Sequence, residues 1–175
     1  MLNEDNVAGQ ADGKGSPALG GSTDVETDCP SRDGYVWLRA YRTCIKFYQT
    51  PMIFMYAYRT CTSVGTRLAV LNTTAKYKAV TTYLTANGIS VMRISIGGAR
   101  DGAINGSRTT WSSALHPLYW VNGMKMAFSG PDTFWSSGNP DNFYGIEGCL
   151  ELYWNFWNDG QCDLLKPFIC EKVLN

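Results

Sequence analysis

The sequence predicts an α+β fold in a single domain, with two helices early in the chain and a strand-and-loop half behind them. Three observations carry this. Helical spacing and caps are confined to the stretch from Thr50 to Asn87. Ten glycines punctuate the stretch from Gly97 to Gly160, where no helix of useful length fits. Six cysteines, an even set without a CxxC pair, are spread over both halves and point to a disulfide framework rather than a zinc or dithiol site. A length of 175 residues suits one domain with a real core.

Residues 1–28 are rich in Gly, Ala, Ser, Asp and Asn and nearly lack large apolar groups, so burial cannot offset the entropy of ordering them. They read as a disordered tail or linker, and the domain as residues 29–175. Tyr35 to Leu38 and Cys44 to Tyr48 read as two short strands joined by a turn. Thr50 as a cap and Pro51 at the first helical position predict a helix to about Ser63, broken at Gly65. Leu68 to Leu71 reads as a strand. Ala75, Ala79, Val80 and Leu84 recur at helical spacing between Thr73 and Ala86, and Asn87-Gly88 closes that helix. Val91 to Ile96, Leu118 to Val121, Cys149 to Tyr153, Phe156 to Trp157 and Phe168 to Val173 are expected to pair as an antiparallel sheet under long loops.

Composition narrows the function. Lys plus Arg and Asp plus Glu number 15 each, so no overall field recruits nucleic acid or an anionic membrane. Apolar runs such as Met52 to Ala57 fall far short of the roughly 20 residues of a bilayer-spanning helix. The cysteines imply an oxidising, extracellular setting, to which the sequons at Asn72 and Asn105 add a possible glycoprotein. The first residues, MLNEDNVAGQ, have neither a basic segment nor an apolar core and are not a secretory signal. Either the true start lies elsewhere or export is arranged otherwise.

The chemistry is concentrated in the last quarter. Asn139, Asp141, Glu147, Asn158 and Asp159 place five oxygen-bearing side chains among Cys149, Cys162 and Cys170. Carboxylate, amide and backbone oxygens are what Ca²⁺ takes, about six to eight of them. Asn, Asp, Gly and Pro are also turn residues, so the bland reading of Asn139 to Gly145 is a surface loop.

The order of these features resembles a C-type lectin-like domain in its long, three-disulfide form. The match runs from Cys29 to Lys172 and rests on Cys44-Ile45-Lys46-Phe47, Pro51-Met52 before a helix carrying Cys61, Gly65, Leu68-Ala69, Ile96-Gly97, Trp120 with Asn122-Gly123, Trp135 before Gly138-Asn139-Pro140-Asp141, Trp157-Asn158-Asp159 and Ile169-Cys170-Glu171. The resemblance implies the C-type lectin-like fold, two helices with antiparallel sheets and a long calcium-binding loop region. It also implies the pairings Cys29–Cys44, Cys61–Cys170 and Cys149–Cys162. Two departures stand out. Ser95-Ile96-Gly97-Gly98 replaces the family's Trp-Ile-Gly-Leu, so that strand must pack differently, and the segment between Gly98 and Trp120, with Trp111 and His116, is longer than usual.

By the same resemblance, Asn139, Asp141, Glu147, Asn158 and Asp159 (the last also through its carbonyl) would ligate one Ca²⁺ and contact a sugar diol, with a cis bond before Pro140. Asn139-Pro140-Asp141, amide first and acid second, is similar to the family's galactose order with one methylene removed. Phe143 stands where galactose binders carry a stacking Trp. A second calcium is not expected, because Gly148 and Asn142 replace common carboxylate positions. Trp120, Trp135 and Trp157 are expected in the core, and His116 in solvent. Ser112, Ser113 and His116 lack the nucleophile turn of a hydrolase, and Glu147 with Asp159 would both be ionised on a calcium, so catalysis is not expected. The reading is a secreted, calcium-dependent lectin for terminal galactose or GalNAc, acting in glycan recognition such as innate immunity and gaining avidity as a homo-oligomer. The rival is a non-catalytic protein-interaction or structural module, including mineral- or ice-surface binding, on the same fold.

Overall fold

A computed structural model of the chain describes residues 29–172. The tail expected over residues 1–28, and the end of the last strand at Val173, lie outside the described residues. Strands β1 (Val36–Leu38) and β2 (Thr43–Met52) precede helix α1 (Phe54–Ser63). The short β3 (Arg67–Leu68), helix α2 (Thr74–Ala86), β4 (Arg93–Arg100) and β5 (Leu118–Trp120) follow. Strands β6 (Glu147–Tyr153), β7 (Phe156–Gln161) and β8 (Lys166–Lys172) close the chain.

Among the described residues these form one sheet in the order β1-β2-β8-β4-β6-β7, with β3 beside β8 and β5 beside β4. The sheet is mixed rather than purely antiparallel, because β4 meets β8 in parallel at Ser95 and Phe168. Leu68 to Leu71 is correspondingly strand only at Arg67–Leu68. Ala69 then passes between the two, donating its N–H to the Ile169 carbonyl and accepting from the Gly97 N–H. The close approach explains the glycines of the unusual Ser95–Gly98 run: a Cβ on Gly97 would stand 2.5 Å from the Leu68 carbonyl oxygen, and one on Gly98 2.8 Å from Leu150.

The first helix does not begin at Thr50 and Pro51. Both belong to β2, where Tyr48 pairs with Phe168 and Met52 with Lys166 across a register irregularity. A proline is tolerated at such an irregularity because no ladder N–H is needed there. The helix opens after Ile53, which has no side-chain cap, and the Phe54 N–H is taken by the Cys162 carbonyl. The second helix follows expectation: the Thr73 side chain accepts from the Lys76 N–H, and Gly88 takes φ +64° just beyond its end. Ala79, Val80 and Leu84 are buried, while Ala75 is exposed.

Strand alternation gives the sheet two apolar faces. Val80, Leu84, Ile94, Ile96, Leu150, Trp157 and Ile169 pack on one, and Phe54, Ala57, Phe168 and the disulfides on the other. Trp120 and Trp157 are core residues as expected, and Trp135 is partly buried with its ring edge-on to Trp157 at 5.7 Å. The bonds Cys29–Cys44, Cys61–Cys170 and Cys149–Cys162 are all present. In the chain-entropy account, closing the 109-residue separation of the second restricts the unfolded chain by about 5 kcal/mol.

Candidate functional site

Glu147 opens β6 and Asp159 lies near the end of its hairpin partner β7, so the sheet brings the two acids to one end. The loop before β6 supplies a third. Oxygen atoms of Asp141, Glu147 and Asp159 lie within 4.8 Å of one another. A cation with Ca–O bonds of about 2.3–2.6 Å can bridge oxygens that far apart, so the donor set fits calcium.

The loop is fastened to these carboxylates through its backbone. The Asp141 N–H donates to Asp159 Oδ1 at 3.1 Å, the Asn142 N–H to Asp159 Oδ2 at 3.0 Å and the Phe143 N–H to Glu147 Oε2 at 2.9 Å. Asn142, in the left-handed region at φ 49°, is buried; its amide donates to the Trp111 carbonyl at 2.8 Å and accepts from the Glu147 N–H at 3.2 Å. The Asn139–Pro140 bond is cis. Phe143 and Tyr144 project outward with exposures of 53% and 83%, their rings 4.2 Å apart.

The two amides are committed differently from the acids. Asn139 donates its Nδ2 to Ser136 Oγ at 2.7 Å, which leaves Oδ1 as its ligating atom. Asn158 alternates with Asp159 along β7 and faces the other side of the strand, where its Nδ2 meets Glu151 Oε1 at 2.9 Å and the Asp159 carbonyl at 2.7 Å.

The electrostatics are those of uncompensated acid. Burial first, and then the neighbouring Asp159 and Asp141, push the Glu147 carboxyl up to about 7 against the Phe143 hydrogen bond. Burial likewise raises Asp159, against the pull of Arg100. Arg100 had no place in the sequence reading. It ends β4 fully buried, its Nη2 2.5 Å from Asp159 Oδ2, and the only hint of it was a charge closing an otherwise apolar and glycine run. Trp111 was also missed as a core residue: it is 4% exposed and lies over Gly148, where any Cβ would overlap its ring. The space a side chain at position 148 would need is thus filled by indole. His116 is partly buried rather than solvent-facing, because the Arg100 guanidinium holds its carbonyl at 2.5 Å.

A sequence model of the Lectin C-type domain matches residues 50–172. The chain belongs to the C-type lectin domain family. It is 26% identical to the galactose-specific lectin nattectin of Thalassophryne nattereri over 159 residues, covering 90% of this chain and 91% of that protein. With perlucin of Haliotis laevigata it shares 37% identity over 86 residues, 41% of this chain, and it spans about half of that relative's length (54%). Among solved structures, the mouse scavenger receptor C-type lectin carbohydrate-recognition domain superposes with a TM-score of 0.58 at 25% identity, covering 76% of this chain and 90% of that one. Among the described residues no helix is long and apolar enough to cross a membrane.

Proposed function

We propose that this C-type lectin domain is a calcium-dependent carbohydrate-binding module for terminal galactose or GalNAc. One observation carries the reading: three carboxylates converge within 4.8 Å and, among the described residues, face one guanidinium, so acids outnumber bases where a divalent ion would sit. Asp141, Glu147 and Asp159 would hold the calcium, with Asn139 Oδ1 as a neutral donor, and Asn158 would join if its amide turned from Glu151. Bound there, calcium supplies coordination positions to two neighbouring sugar hydroxyls. Carboxylate oxygens accept from those hydroxyls, and charge assistance strengthens the bonds. Phe143, half exposed beside the acids, offers an apolar face to the sugar ring, a contact of about 1 kcal/mol. The galactose assignment draws support from the Asn139-Pro140-Asp141 order and from the name of nattectin.

Such a site, open to water, binds one sugar weakly, so function would rest on several copies displayed together outside the cell. Holding an ion, Asp141, Glu147 and Asp159 would all be ionised and none would serve as a general acid. The test is retention on galactose-agarose in calcium and release by EGTA, with Phe143→Ala eluting early and free mannose failing to compete. A protein that flows through, yet melts higher in calcium, would have a metal-ordered loop and no sugar site. That second reading, a structural or protein-binding module, is favoured by the prior commitment of both amides, Asn139 to Ser136 and Asn158 to Glu151.

A further inference from the structure

Among the described residues Arg100 is the one buried cation paired with the acidic cluster, and the galactose reading uses it only in counting charge. Its Nη2 pairs with Asp159 Oδ2 at 2.5 Å, with both side chains fully buried. Three carbonyls hold the rest of the guanidinium: Nε donates to Glu147 at 2.8 Å, and Nη1 to Ala114 at 2.9 Å and His116 at 2.5 Å. Anchored on four sides, the guanidinium is not free to swing away when a second cation arrives. An ion bonded to either Asp159 oxygen at about 2.4 Å would sit within roughly 5 to 6 Å of Nη2.

We infer that Arg100 is an internal competitor that sets the calcium affinity of this site, because guanidinium and metal share the Asp159 carboxylate. Repulsion between a unit and a divalent charge at that separation in a protein interior exceeds a tenfold change in a binding constant. The same residue balances Asp159 when no ion is bound, so it steadies the calcium-free loop at the expense of the calcium-bound one. The consequence is a site tuned toward the weak end, of the order of 0.1–1 mM, at which extracellular calcium modules work. Arg100 touches neither sugar nor ion and is a positioning residue. This inference rests on the calcium reading above.

The experiment is calcium titration by calorimetry, with melting in EGTA and in calcium, on the wild type, Arg100→Met and Arg100→Lys. Arg100→Met should melt lower in EGTA, bind calcium at least tenfold more tightly and gain more on calcium addition than the wild type. Arg100→Lys, which keeps the charge, should stay within about threefold of the wild-type affinity. If Arg100→Met folds only when calcium is present, the ion has replaced the guanidinium and the inference stands. If calcium fails to restore it, or if the folded variant binds calcium no better than the wild type, Arg100 is only a brace and the inference is wrong. Calcium uptake by neither protein rejects the metal reading itself, and this one with it.

Discussion

Two fully buried carboxylates sit on the β6–β7 hairpin, Glu151 and Asp159, and strand alternation turns them to opposite faces. Glu151 has two cations, Lys166 and Arg93, each 2.6 Å away, and the Asn158 amide at 2.9 Å. Asp159 has one, Arg100, and shares its space with Glu147 and Asp141. The first cluster is closed, with two cations around one acid. The second sets three carboxylates against one guanidinium. Burial and hydrogen bonding are alike in the two clusters; the balance of charge within reach of the buried group is what differs.

The comparison breaks most visibly if each side is cut at its own cation or acid. Lys166→Met should cost about 3–5 kcal/mol, because it removes the buried partner of Glu151, and calcium should restore none of it in urea melts. Asp159→Asn should instead abolish the calcium response: at 10 mM calcium and a Kd near 1 mM, a gain of about 1.4 kcal/mol, or a few degrees in Tm, disappears. Gly148→Ala should cost about 1–3 kcal/mol by driving Trp111 from its seat, and should weaken calcium binding because the Trp111 carbonyl holds Asn142.

Acidity sharpens the contrast with a smaller effect. The Glu147 carboxyl is raised from an ordinary 4.5 to about 7 in the folded protein. The folded state therefore keeps a proton that the unfolded chain has lost, and its contribution to stability, full below about 4.5, is lost as pH rises through about 7. Calcium-free protein should melt progressively lower across that window. Saturating calcium should flatten the slope, and calcium binding should weaken as pH falls. An identical slope with and without calcium would mean that Glu147 is not a ligand.

Much of this was legible in the residues. Apolar spacing and the Asn87-Gly88 stop placed α2, the cysteine frame with its family resemblance gave the three pairings, and the order of acids marked the loop that gathers at one end of the hairpin. What escaped was decided by partners far away in sequence. Pro51 signals a helix start in isolation, but the pairing of Tyr48 with Phe168 makes its segment a strand. Arg100 looks like any surface arginine until β4 carries it under Asp159, 59 positions along. Trp111 sits in a long loop with no periodicity, and only Gly148, its missing side chain, makes room for the ring. Asn158 lies next to Asp159 in sequence, and strand alternation alone turns its amide toward Glu151 instead.

The bridge from Cys61 to Cys170 encloses the acidic loop, Arg100 and the exposed Phe143-Tyr144 turn within one covalent ring. A protease that nicks the chain anywhere inside that ring opens a bond without releasing a fragment. On a gel, such a molecule would run as one band until a reductant is added. The exposed Phe143-Tyr144 turn can therefore be cut, or lengthened over generations, while the two ends of its ring stay pinned to the sheet.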